Sequence, residues 1–197
     1  LITTDEQGKA IFPTPFSCEK NPSHKGTPTL ANMTEHALQA LSHNNDQGFF
    51  LMVEGASIDK QAHKRNPCGQ IGELHAFDQA VTIGRQFAAQ QPNTLIIVTA
   101  DHGHAGQIVP LPESYQAASK AIQLAQYPTG YYAVLKTLSG ELMAVNYATN
   151  SSPQGQWEMH TGTNVPAYME GPGLDNVPIL IDQRDINYLM RRHLKLP

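Results

Sequence analysis

Two short runs with no polar face, GFFLMVEG at 48–55 and NTLIIVTADH at 93–102, constrain this chain more than any other feature. A strand with one wet face alternates apolar and polar residues, whereas a strand covered on both faces reads as a continuous apolar run. Between the two runs, Leu74, Phe77, Val81 and Ala88 recur at helical spacing from about Gly72 to Ala89. Strand, helix, strand in that order predicts a parallel βαβ unit in a sheet covered by helices. The expected fold class is therefore α/β.

The flanking segments are read in the same way. Leu30, Met33, Ala37, Leu38 and Leu41 predict a helix opened by Thr27-Pro28-Thr29 and closed by HNNDQG. YYAVLKTL and ELMAVNYA, joined by Ser139-Gly140, predict a hairpin with a two-residue turn. NSSPQGQ reads as a loop, AYMEGPG as a further strand with a turn, and SYQAASKAIQLA as loop with some helix. A last helix is expected from about Asp182 to Leu194, with Asp182 or Asp185 at its start and Arg191, Arg192, His193 and Lys195 at its end, the polarity that the helix dipole favours. The chain divides by pattern into a loop-like lead-in at 1–28, a core at 29–110, an insertion with a hairpin at 111–156, and a closing segment at 157–197.

Composition excludes several functions. With 197 residues the chain fits one domain, and a formal net charge of -4 with scattered Lys and Arg offers no groove for nucleic acid. The longest apolar runs are far short of the roughly 20 residues that a membrane-spanning helix requires. The first residues, rich in Pro, Gly and Thr, lead us to expect a further segment upstream.

The chemistry concentrates where the predicted strands end. Ligands in open α/β sheets bind beyond the carboxyl ends of the strands. Glu54 closes the first run, and Asp101 and His102 close the second. Between them, in EGASIDKQAH, Asp59 and His63 are four apart, so a helical turn presents both on one face. Alone that pair reads as a surface helix contact, and His160 in EMHTGTNVP as an exposed loop residue; convergence on one sheet edge turns them into a candidate metal site. Carboxylate with imidazole suits zinc, and a carboxylate with water suits magnesium. His24, His36, His43, His75 and His193 fall on loops or helix surfaces and read as solvated or structural, and Trp157 as packing beneath the His160 loop.

Taken together, VEGASIDKQAH, NPCGQIGE, NTLIIVTADHGHAGQI and HTG resemble the C-terminal half of the bacterial secreted alkaline phosphatases. The similarity runs from about Pro28 to the final helix and is looser between Pro110 and Gln156. It implies a three-layer α/β/α sandwich with a mostly parallel sheet, of which this chain would hold only the C-terminal part. It further implies a site with two zinc ions and one magnesium ion that hydrolyses phosphate monoesters through a phosphoseryl intermediate. By position, Asp59, His63 and His160 match ligands of one zinc, Asp101 and His102 ligands of the other, and Glu54 the magnesium ligand. Lys60 matches a lysine that approaches phosphate through water, and His104 a residue that orients Asp59.

The family's nucleophilic serine, a bridging carboxylate and a phosphate-clasping arginine belong to a motif not found here, so no catalytic nucleophile is expected in this chain, and Ser57 reads as structural. The resemblance also implies a Cys18–Cys68 disulfide, a periplasmic or secreted location, an N-terminal half as partner, and a homodimer. On the chain-entropy account such a disulfide stabilises by about 4 kcal/mol. The alternatives are a related metal-dependent phosphodiesterase or sulfatase-like hydrolase, and a non-catalytic metal-binding fragment.

Overall fold

The computed structural model describes residues 3–4, 10–11, 14–24, 26–110, 132–147 and 157–197. They contain four helices, α1 (Leu30–Ser42), α2 (Ser57–His63), α3 (Pro67–Gln90) and α4 (Gln183–His193). The strands are β1 (Thr3–Thr4), β2 (Ala10–Ile11), β3 (Ile96–Val98), β4 (Gly103–His104), β5 (Gln107–Pro110), β6 (Tyr132–Lys136), β7 (Leu142–Asn146), β8 (His160–Thr161) and β9 (Tyr168–Glu170). The chain forms two compact units: residues 1–25, 56–73 and 102–164, and residues 26–55, 74–101 and 165–197.

The first unit is organised by a three-stranded antiparallel sheet in the order β5-β7-β6. Val134, Leu135, Ala144, Val145 and Tyr147 are buried there, and Leu135, Val145 and Tyr147 form a core cluster against Cys68 and Met143. The Tyr147 hydroxyl donates to Gln70 Oε1 at 2.7 Å, which satisfies the one polar atom of that ring. Phe16 forms an isolated parallel bridge to Leu135. Cys18 is bonded to Cys68 with Cα atoms 5.2 Å apart, tying the lead-in to the start of α3. The hairpin is present, but its connection is longer than the expected two residues. Lys136 pairs with Leu142, and Thr137 N–H donates to the Glu141 carbonyl across a loop that has Gly140 at φ 92°.

In the second unit the helix ends follow their capping chemistry. The Thr29 hydroxyl accepts from the Asn32 amide, and the Thr29 backbone N–H donates to Asn32 Oδ1 in return, a capping box that starts α1. Asp182 and Asp185 form the same reciprocal arrangement at α4, so Asp182 is the cap and Asp185 its third helical residue. α3, whose first residues belong to the first unit, begins at Pro67, earlier than the Gly72 expected from its apolar stripe, because Asn66 accepts from the Gly69 amide and Pro is suited to a helix's first position. β3 pairs antiparallel with β9, confirming AYMEGPG as a strand. Gly171, at φ 131°, lies against the Thr94 carbonyl, where any side chain would collide with backbone.

The βαβ expectation is corrected. Residues 48–55 form no strand, Phe50 and Met52 are 58% and 74% exposed, and the ladders among the described residues are antiparallel. Hydropathy reports which faces are apolar, but a strand also requires a backbone partner about 4.8 Å away, and the apolar pattern does not name that partner. The lead-in at 1–28 likewise holds a short β1–β2 pair. SYQAASKAIQLA and NSSPQGQ lie outside the described residues.

Candidate metal centre

The site is built within the first unit by one short helix and one pair of strands. On α2, Asp59 and His63 share a face as their spacing requires, with His63 Nε2 3.3 Å from Asp59 Oδ1. The β4–β8 register sets His104 directly across from His160. His160 Nε2 lies 3.2 Å from the same Asp59 oxygen and 3.0 Å from His63 Nε2. His104 Nε2 lies 2.6 Å from Asp59 Oδ1. Asp59, His63, His104 and His160 each offer one donor atom, all within 4.8 Å of one another.

The donor set fits zinc. Zinc bonds of about 2.0–2.2 Å place neighbouring ligand atoms of a tetrahedron about 3.3 Å apart. The separations among Asp59, His63 and His160 are 3.3, 3.2 and 3.0 Å. The protonation pattern agrees with the spacing. His63 Nδ1 is 2.5 Å from the Glu158 carbonyl, so it carries the proton and Nε2 presents its lone pair to the cluster. His104, by contrast, directs Nε2 at a carboxylate at hydrogen-bond distance, the geometry of a donor that orients a ligand.

Electrostatics follow from the crowding. Burial pushes the Asp59 carboxyl upward, but the His104 hydrogen bond and the charges of His63, His104 and His160 outweigh it and hold its pKa below the ordinary value. Burial lowers the His104 pKa by more than the Asp59 bond raises it, which favours the neutral ring. Burial raises Glu158 to about 7, against the opposing effects of Arg65, the Ala105 and Gly106 amides and His63.

Other residues singled out in the sequence are placed differently. His102 stacks on His160 with ring centroids 3.5 Å apart, and its Nε2 is 3.8 Å from Asp59 Oδ1, beside the group rather than in it. Asp101 and Glu54 belong to the second unit and are exposed; the Asp101 carbonyl accepts from Gln183 Nε2 at 2.8 Å. Lys60 lines an open pocket of about 350 Å³ with His63, Lys64, Trp157 and Met159, so Trp157 walls a cavity and is not packed beneath the loop. His193 hydrogen-bonds the Asn93 carbonyl and His75 pairs with Gln79, structural roles as expected. Sequence reasoning missed Glu158, which is fully buried beside the cluster; a lone glutamate in a polar segment carries no signal of burial.

Comparison with known proteins now adds to this geometry. The family profile for alkaline phosphatase matches residues 13–196. The chain is 46% identical over 181 residues to an alkaline phosphatase of Escherichia fergusonii, covering 91% of this chain and 35% of that protein. It is 44% identical over 165 residues to the streptomycin-6-phosphate phosphatase of Streptomyces griseus, covering 80% of this chain and 33% of that protein. A solved structure of a TAB5 alkaline phosphatase mutant with magnesium bound matches with a TM-score of 0.60 at 24% identity, over 85% of this chain and 42% of that one, a likeness of fold. The chain thus spans about a third of the length of these two curated relatives. A profile match over nearly the whole chain, on top of the Asp59, His63 and His160 geometry, identifies the chain as a member of the alkaline phosphatase family.

Proposed function

We propose that this chain is the metal-holding part of a phosphomonoesterase that converts phosphate monoesters to an alcohol and inorganic phosphate. The observation that carries this reading is the convergence of Asp59, His63 and His160 at the separations zinc requires, in a chain of the alkaline phosphatase family. Asp59, His63 and His160 would hold one zinc, Asp101 and His102 would contribute to a second, and Glu54 would bind magnesium. When bound, such ions neutralise the charge of a phosphomonoester dianion and bring the pKa of water toward neutrality.

The chain's own residues prepare this site. His63 is held in the tautomer that presents Nε2 by the Glu158 carbonyl. His104 steadies Asp59 by donating to Oδ1. Lys60, exposed at the rim of the neighbouring pocket, supplies a positive charge that favours an anionic substrate. The serine nucleophile belongs to a part of the protein outside these 197 residues, which is an N-terminal partner half in our reading, and the assembled enzyme is a homodimer. The exposed large side chains of Phe50, Met52, Tyr168, Ile179 and Leu180 support such a partner. The Cys18–Cys68 bond supports an oxidising compartment, the periplasm or the cell exterior.

The test is hydrolysis of p-nitrophenyl phosphate with added zinc and magnesium, by this chain alone and by the complete protein that contains it. The chain alone is expected to show no turnover and the complete protein zinc-dependent turnover that is lost in Asp59→Ala. Full activity in the isolated chain would refute the placement of the nucleophile. A complete protein without phosphatase activity would refute the function.

A further inference from the structure

The Glu158 side chain has no part in the chemistry above, yet the residue is 0% exposed and neither carboxyl oxygen makes a hydrogen bond of conventional geometry. Burying a carboxyl group is costly even with the Ala105 and Gly106 amides and Arg65 beside it, so its surroundings should show what the cost supports. Its backbone is clasped to His63: the Glu158 N–H donates to the His63 carbonyl at 3.2 Å, and its own carbonyl receives His63 Nδ1–H. Its side chain places Oε2 4.0 Å from His104 Nδ1, a buried ring atom with no hydrogen-bond partner. The opposite nitrogen of that ring is the one that donates to Asp59.

One residue therefore faces the rear nitrogen of two imidazoles, of which His63 presents its front nitrogen to the candidate ion and His104 presents its own to Asp59. For His104 the requirement is a proton on Nε2. A carboxyl group behind Nδ1 is compatible with that proton in either state, accepting from Nδ1–H of a cationic ring or donating to the Nδ1 lone pair of a neutral one. An apolar side chain in the same space would remove the carboxyl that faces Nδ1 at 4.0 Å, and the ring would lose that electrostatic reason to keep Nε2 aimed at Asp59.

We infer that Glu158 is a positioning residue of the metal centre, acting through His104 to keep Asp59 Oδ1 aimed at the ion. The inference rests on the metal-centre reading proposed above and extends it to a residue that supplies no donor atom. Glu158→Met removes the carboxyl at similar volume but leaves Arg65 and His104 in place, so the isosteric Glu158→Gln and an unfolding curve for each variant separate positioning from structure.

The experiment is a zinc titration in competition with a chromophoric chelator, with a urea unfolding curve for each protein. Glu158→Met is expected to bind zinc about 10- to 100-fold more weakly, the usual cost of losing an outer partner, while remaining cooperatively folded in the urea curve. Glu158→Gln, whose amide keeps a polar group facing Nδ1, is expected to retain most of the affinity. In a His104→Asn background the Glu158→Met effect should disappear. Wild-type affinity in Glu158→Met, an equal loss with and without His104, or a collapse of the fold in that variant would each overturn the inference. A wild-type chain that binds no zinc would instead overturn the metal-centre reading and this inference with it.

Discussion

His104 Nε2 approaches Asp59 Oδ1 to 2.6 Å, closer than His160 at 3.2 Å, His63 at 3.3 Å or His102 at 3.8 Å. One carboxylate oxygen thus faces four imidazoles, and the shortest contact has the geometry of an orienting hydrogen bond. His104→Ala should weaken zinc binding by about 10- to 100-fold while leaving the donor set formally complete. The same competition titration would show it, and an unchanged affinity would argue that His104 does not orient Asp59.

Zinc should stabilise the folded chain, because the unfolded chain does not hold Asp59, His63 and His160 together. At a hundredfold excess over its dissociation constant the ion adds about 2.7 kcal/mol to the unfolding free energy. The gain should vanish on adding EDTA and be absent from His160→Ala. Thermal melts with and without zinc would reveal it, and equal midpoints would count against the site.

Gly103 precedes His104 on β4 and pairs with Thr161 of β8, and a Cβ there would meet Thr163 Cγ2 and, at 2.8 Å, Thr161 Oγ1. Both neighbours are β-branched and stiff, so they cannot swing aside cheaply. Gly103→Ala should cost about 1–3 kcal/mol and weaken zinc binding in parallel. A variant as stable and as tight as wild type would show that the β4–β8 pair tolerates the shift.

The Cys18–Cys68 bond closes a sequence separation of 50 residues. On the loop-entropy account its loss should destabilise the chain by about 4 kcal/mol. Urea unfolding of the oxidised chain against a Cys18→Ser, Cys68→Ser double variant measures this difference, and coincident curves would contradict it.

Asp182 caps α4, and the hydrogen bonds from the Arg184 side chain and amide hold its carboxyl below the ordinary aspartate pKa. A carboxyl whose folded pKa lies below its unfolded value contributes stability above the unfolded pKa and loses it as pH falls through the folded one. Protection of the first turn of α4 from amide exchange should therefore decline below about pH 4, the ordinary aspartate range. Asp182→Asn, which caps without charge, should flatten that dependence. An equally steep decline in the Asn variant would assign the effect elsewhere.

Local chemistry was legible in the residues. The capping residues Thr29 and Asp182, the Asp59–His63 spacing on one helix face, and the Gly140 turn follow from interactions within a few residues, which a linear pattern records. The Cys18–Cys68 pairing and the metal-ligand set came from family motifs, because no local rule ties Asp59 to His160 across a hundred residues of chain.

The sequence alone therefore determined which segments are helical, which residues could serve as ligands, and which family they resemble. Only the tertiary structure decided that β3 pairs antiparallel with β9, that the apolar 48–55 segment stays unpaired among the described residues, and that Glu158 sits sealed behind His104. The physical reason is the same in each case. Backbone pairing and burial depend on what stands opposite a residue in space, and that is set by contacts distant in sequence, which hydropathy and spacing do not encode.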